Sequence, residues 1–223
     1  MRQPSQRGAI FIEFTLFTLV MVTILLGVVG LGLAMQNQLQ TVQLARDAGH
    51  MYARGINFTQ TGNQQILVGI AGSLGLSTTL GSGNASVILS EVRYVDQSAC
   101  QQAGLVDSSG NPSGCSNYQT WVFAERIVVG NNSSSYYSRL GTPPSSMIAS
   151  DGTISINYQA GASGNTSDQV GSAWASMGFN PWNATTDTGV PSGQWVYVAE
   201  AQALGFAMPP FSSGGMTYAM LCF

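Results

Sequence analysis

Lysine is absent from this sequence, histidine occurs once, and charged residues make up only 8% of the chain. Seven arginines are spread over Arg2, Arg7, Arg46, Arg54, Arg93, Arg126 and Arg139 and are outnumbered by ten carboxylates. Neutralising a phosphate backbone needs a clustered basic face, so nucleic-acid binding is disfavoured. Solubility of the surface falls instead to Ser, Thr, Asn, Gln and Gly, which suits a protein packed among copies or partners outside the cell. Cysteine is scarce as well. Cys100, Cys115 and Cys222 form no CxxC pair and none lies beside His50, so no metal is expected. No GxSxG elbow and no phosphate-binding glycine loop is present, and the single histidine has no nucleophile near it in sequence. No catalytic residue is therefore assigned, no cofactor is implied, and the chain reads as a non-enzyme.

What is abundant lies at the N-terminus. The first eight residues are polar, with two arginines and no acid, and from Phe14 to Met35 no residue is charged. That run is roughly 33 Å of helix at about 1.5 Å per residue, enough to cross a hydrocarbon core. Thirteen of its positions are Leu, Ile, Val or Phe, contributing on the order of −4 to −8 kcal/mol toward insertion. Arginines before the run and none after it until Arg46 predict a cytoplasmic N-terminus and an exported C-terminal region. A cleaved secretory signal would be shorter in its apolar part and end on a small-residue site. Here Gly27, Gly30, Gly32 and Ala34 sit inside a continuing helical run.

Glu13 breaks the apolar pattern, five positions after Gly8 in Gly8-Ala9-Ile10-Phe11-Ile12-Glu13-Phe14. A carboxylate just inside a membrane helix is costly and calls for a partner. Cutting after Gly8 would make Ala9 a new N-terminus, whose ammonium could pair with Glu13 of its own chain or of a neighbour. A short basic leader, Gly8, Glu13-Phe14 and the apolar helix behind them resemble the class III signal of type IV pilins and pseudopilins. The stretch Arg7 to Phe14, with Ala45-Arg46-Asp47-Ala48-Gly49-His50-Met51-Tyr52-Ala53-Arg54, is similar to the TadE-like minor pseudopilins of tight-adherence (Tad) pilus systems. The resemblance covers about residues 7 to 55. It implies processing by a prepilin peptidase at Gly8 and Ala9, partnership with other pilin or pseudopilin subunits through the helix, and residence in the bacterial inner membrane. Incorporation into a cell-surface pilus would follow.

After Met35 the chain turns polar without proline, and Met35, Leu39, Val42, Ala45, Ala48 and Tyr52 recur every three or four residues. The helix is expected to run on as an amphipathic segment, with that stripe on a head domain, and to stop near Gly55. A second helix is expected from Gln64 to about Leu74, capped by Thr61 or Asn63. Beyond it the period changes to two. Residues 85–96, 121–130, 153–159 and 194–203 are strand candidates, and 216–223 could add a last strand that buries the Phe223 ring. Gly-, Ser-, Asn- and Pro-rich segments at 104–117, 131–152 and 160–193 read as loops. Trp174, Phe179, Pro181 and Trp182 in the last of these either form an exposed contact surface or fold back over the sheet. The expected class is α+β, a long N-terminal transmembrane and amphipathic helix packed on a mostly antiparallel, pilin-like head. Its divisions are a leader at 1–8, a transmembrane helix at 9–35, an exported continuation at 36–55 and a head at 56–223.

In an oxidising compartment Cys100 and Cys115 would close a small glycine-bearing loop, although Cys222 could pair with either. Glu91, Glu125 and Glu200 fall in three different strand candidates, so two of them could meet across a sheet, or each could pair with Arg93 or Arg126. The functional expectation is a minor pilin- or pseudopilin-like structural subunit that helps assemble a Tad-type pilus. The competing one is an uncleaved, signal-anchored, adhesin-like binding domain, which shares the anchor but does not need Gly8 or Glu13.

Overall fold

A computed structural model describes residues 7–171, Trp174, residues 193–209 and residues 212–223. Helix α1, Arg7–Ala53, runs for 47 residues, roughly 70 Å at about 1.5 Å per residue. Its sequence contains no proline and its stop is a built one. Gly55 takes a left-handed φ of +81°, the Gly55 amide donates to the Tyr52 carbonyl, and the Ile56 amide reaches back to Met51. This is a glycine-terminated helix end in which Ile56 and Met51, the residues either side of it, pack on the same core.

From Phe11 to Val29 the large side chains of α1 are exposed. Gly30 is the first buried position among the described residues, and further along Thr41, Leu44, Ala45, Ala48 and Tyr52 are buried at a spacing that places one helical face on the head. The expected stripe is thus right in its second half and wrong in its first. Met35 and Leu39 are more than half exposed and Val42 is partly so. They stand on the neighbouring helix face, whereas the covered face runs back from Thr41 through Asn37 and Ala34 to Gly30, and Thr41 lies on the seam in their place. Its hydroxyl bonds that of Thr217 at 2.8 Å, which lets a polar residue be buried there.

The head is built on a four-stranded, wholly antiparallel sheet: β1 (Ala85–Tyr94), β2 (Trp121–Gly130), β3 (Trp195–Leu204) and β6 (Met216–Cys222), in the order β2-β1-β3-β6. A two-residue pair, β4 (Ala207–Met208) and β5 (Ser212–Ser213), links β3 to β6 and was not foreseen. With α1 this gives the expected α+β class. Helix α1 crosses β3 and β6. There Ala199, Ala201, Ala203 and Ala219 form a floor of small side chains, and Leu44, Ala45 and Ala48 of the helix are buried with them in one core. Val87, Leu89, Ile127 and Val129 extend this core across β1 and β2. The opposite face of the sheet buries Val92, Phe123, Val196 and Val198 with Leu140, Ile154 and Trp174.

Three expectations are corrected. Residues 153–159 do not form a strand, because Ser155 caps a short helix α4 (Ile156–Gln159) by accepting from the Tyr158 amide. The segment before it instead closes the free edge of β2 with single bonds, Ile154 N–H to the Ala124 carbonyl and Arg126 N–H to Gly152. That edge is covered rather than extended. Helix α2 spans Thr61–Ile70 and ends earlier than expected, and Gln60 holds its N-cap position without a side-chain cap. Helix α3, Gln97–Gln102, was missed although Asp96 caps it by accepting from the Ala99 amide. Trp174 folds back, buried against Trp121 at a ring separation of 5.3 Å. Phe179, Pro181 and Trp182 lie outside the described residues.

Candidate functional site

The N-terminal signal residues all lie on α1. Gly8 and Ala9 are in its first turn, and Glu13 and Phe14 are exposed one turn later. Between Phe11 and Met35 the only polar side chains are Glu13, Thr15, Thr18 and Thr23. Each threonine hydroxyl donates to a carbonyl of the preceding turn: Thr15 to Phe11, Thr18 to Phe14 and Thr23 to Val20, all at 2.8 Å. Hydroxyls bonded back in this way demand nothing from their surroundings, which suits an apolar medium. Glu13 is the exception and has no hydrogen-bond partner among the described residues. Seventeen residues separate Glu13 from Gly30, the first buried position among the described residues of α1, and twenty-five separate it from Gln38, which bonds the Tyr218 carbonyl. At about 1.5 Å per residue the first gap is roughly 26 Å, so Glu13 lies far from the described residues of its own head. One helix among the described residues is long and apolar enough to cross a membrane, and it is this one.

Cys100 on α3 and Cys115 in the following loop are joined by a disulfide, with Cα atoms 5.8 Å apart. The loop it closes packs as a separate small core with Val95, Ala99, Val122 and Ala160. Cys222 is unpaired and half-buried on β6. Burial and the nearby Glu200 charge push its thiol up to about 11, so it is a poor nucleophile.

The three strand glutamates divide between the two faces of the sheet. Glu91 on β1 stands directly opposite Glu125 on β2 and opposite Tyr197 on β3, on the face covered by α1. Immediately after this row the register slips, so that Val92 pairs with Phe123 and Ala124 bulges out. Neither glutamate forms an ion pair with Arg93 or Arg126. Arg93 donates to Gln159 Oε1 at 3.2 Å and lies 4.9 Å over the Trp195 ring. Burial first, and then the charge of Glu125, push the Glu91 carboxyl up to about 7. Glu125 is raised too, chiefly by burial.

Glu200 is on the opposite face and wholly buried. Its carboxylate accepts from the Ser138 hydroxyl, the Arg139 amide and the Tyr218 hydroxyl. Arg126, also buried, donates through Nη1 to Ser90 and to the same Ser138 hydroxyl, at 3.2 and 3.3 Å. The two charges are thus relayed through one serine, and the network ties β1, β2, β3, β6 and the loop after β2 together. The Glu200 carboxylate is satisfied from within, only Arg126 Nε lacks a partner, and the network reads as fold-holding. Sequence reasoning placed the glutamates on strands but not on faces, since only the sheet order brings Glu91 to Glu125 and sends Glu200 to the other side.

The search for relatives finds no match among curated proteins and none among solved structures. The family model of the TadE-like proteins matches residues 8–50, beginning at Gly8 and ending at His50, where α1 is already seated on the head. By this helix the chain is similar to the TadE-like proteins, and the match points to a component of a Tad pilus system.

Proposed function

We propose that this chain is a minor pilin- or pseudopilin-like subunit that enters the bacterial inner membrane through α1, with its N-terminus cytoplasmic and its head exported. A prepilin peptidase cuts it after Gly8, and the trimmed subunit joins other pilin or pseudopilin subunits by helix packing. In this reading residues 1–8 are the leader, 9–35 the transmembrane part, 36–55 its exported continuation and 56–223 the head. The observation that carries it is Glu13. It is the one polar side chain of residues 11–35 that the helix does not satisfy, and it lies far from the described residues of its own head. A carboxylate so placed is costly in hydrocarbon unless another charge meets it. The Ala9 ammonium released by cleavage, on the same or an adjacent subunit, supplies that charge and fixes the axial register of packing.

N-terminal sequencing of the protein purified from its native membrane tests the cleavage. A start at Ala9 is the expected result; an intact Met1 or a start beyond residue 30 overturns it, and the intact chain would leave the signal-anchored binding domain as the better account. Glu13→Ala tests the role of the carboxylate. Membrane insertion should be unchanged while incorporation into filaments falls, and unchanged incorporation would remove Glu13 from the mechanism.

A further inference from the structure

The row Glu125–Glu91–Tyr197 does not end in solvent. Together with Tyr52 from the last turn of α1, and with Asp151 and Thr153 from the segment that closes the β2 edge, it lines an open cavity of about 240 Å³. Two carboxylates directly opposite each other on antiparallel strands repel, and this arrangement is destabilising unless something lies between or over them. The chain's own compensation is a proton held by Glu91 and shared with Glu125, which is lost as Glu91 ionises at about pH 7. Every charged side chain lining the cavity is acidic. Arg93, whose charge bears on Glu91, is turned to Gln159 and Trp195.

A second observation points into the same cavity. Tyr52 is 4% exposed, yet its buried hydroxyl makes no hydrogen bond of full geometry: it faces the Glu125 carboxylate as a loose donor and accepts from no group. The charges of Glu125 and Glu91 both bear on it. The Tyr52 ring stands edge-on to that of Tyr197 at 5.4 Å, so two aromatic rings and three carboxylates converge. The carbonyl end of α1 adds its partial negative charge alongside, at Gly55 and Asn57.

We propose that this cavity receives one basic side chain, a guanidinium or ammonium, from a partner protein. Size favours a side chain over a free metabolite, since the volume falls below the roughly 300–1,000 Å³ of small-molecule sites. A metal is disfavoured by geometry, because among the described residues no group of three or more Asp, Glu, His or Cys is placed to hold one. A hydrogen-bonding cation answers every feature at once. It relieves the Glu91–Glu125 repulsion, gives the Tyr52 hydroxyl a donor, and meets the aromatic faces that attract cations. The cavity lies at the far end of α1 from the apolar run, on the part of the head remote from residues 11–35, and the inference does not depend on cleavage at Gly8 or on assembly through α1.

The test uses the full-length protein in detergent micelles, titrated calorimetrically with the blocked peptides Gly-Arg-Gly, Gly-Lys-Gly and Gly-Gln-Gly. Saturable binding of the Arg or Lys peptide at one site is expected, weaker by tenfold or more in the Glu91→Gln/Glu125→Gln double variant and weaker as pH falls from 8 to 5. The titratable groups facing the site are Tyr52 on α1, Glu91 on β1, Glu125 on β2, Asp151, and Tyr197 on β3, with Arg93 acting on Glu91 from outside the lining. A second readout separates a binding role from a structural one: Glu91→Gln should raise the melting temperature of the unliganded protein while it weakens peptide binding. Equal binding of the Gln peptide, unchanged binding in the double variant, or no saturable binding of either basic peptide overturns the proposal. Stoichiometric displacement of the basic peptide by micromolar calcium chloride also overturns it, in favour of a divalent-cation site.

Discussion

The ring of Phe223 fills the space in which a side chain at Gly49 would begin. A Cβ on Gly49 would stand 2.7 Å from Cζ of that ring and 2.8 Å from Cδ2, and nearer still to Cε2. The ring also leans on His50 at a centroid distance of 4.7 Å, and backbone bonds between Phe223 and Tyr197 run in both directions. The end of the sheet is thus docked on the helix through a missing side chain.

Gly49→Ala tests that docking. In an exposed helix interior the change stabilises by roughly 0.5–1 kcal/mol. Here overpacking, of about 1–3 kcal/mol, opposes it and should win, lowering the melting temperature. Combining it with Phe223→Ala should return part of the loss, since the clash then has no second partner.

Replacing Cys100 and Cys115 together by serine should cost about 3 kcal/mol in the chain-entropy account of a loop this size. Chemical denaturation of the two forms measures it. Reducing agent should have the same effect on the parent protein and none on the variant.

The acidic row makes stability depend on pH. Glu91, raised from the ordinary 4.5 to about 7, holds its proton more tightly folded than unfolded. Between those values the folded state binds more protons, so stability falls as pH rises. The contribution is fully present below about pH 4.5 and lost on passing through about 7. Asp168, pushed up to about 6 by burial against the opposing bond from Asn117, adds to the same slope. Melting temperatures measured from pH 4.5 to 8 should show this decline, and Glu91→Gln should flatten it, leaving the Asp168 part.

Glu200→Gln leaves Arg126 buried with less to answer its charge. The expected loss is about 3 kcal/mol. Ser138→Ala, which removes the shared hydroxyl but no charge, should cost less, and urea denaturation of both variants ranks them.

Much of this architecture could be read from the chain because periodicity reports which face of an element is buried. The unbroken run at Phe14–Met35, the stop at Gly55 and the strands at 121–130 and 216–222 all follow from local signals. The failures have local causes too. The Met35–Leu39–Val42 stripe has the spacing of a packed face, but spacing does not say which of two adjacent helix faces the sheet covers. Thr, Ile and Tyr in 153–159 resemble a strand until Ser155 caps a helix turn there. The polar sites were legible only in part. Cys100 and Cys115 are close in sequence, whereas the meeting of Glu91 with Glu125 depends on strand order and register, which span more than thirty intervening residues.

Helix α1 passes from the apolar run into the head with no proline and no break before Gly55. It is a stiff rod clamped at one end by the sheet and by Phe223. A push or twist applied near Glu13 is therefore not absorbed by a hinge on the way. It arrives at the clamp as motion of the whole head, and the cavity beside Tyr52 moves with it as the tip of a lever about 60 Å from where the load is applied.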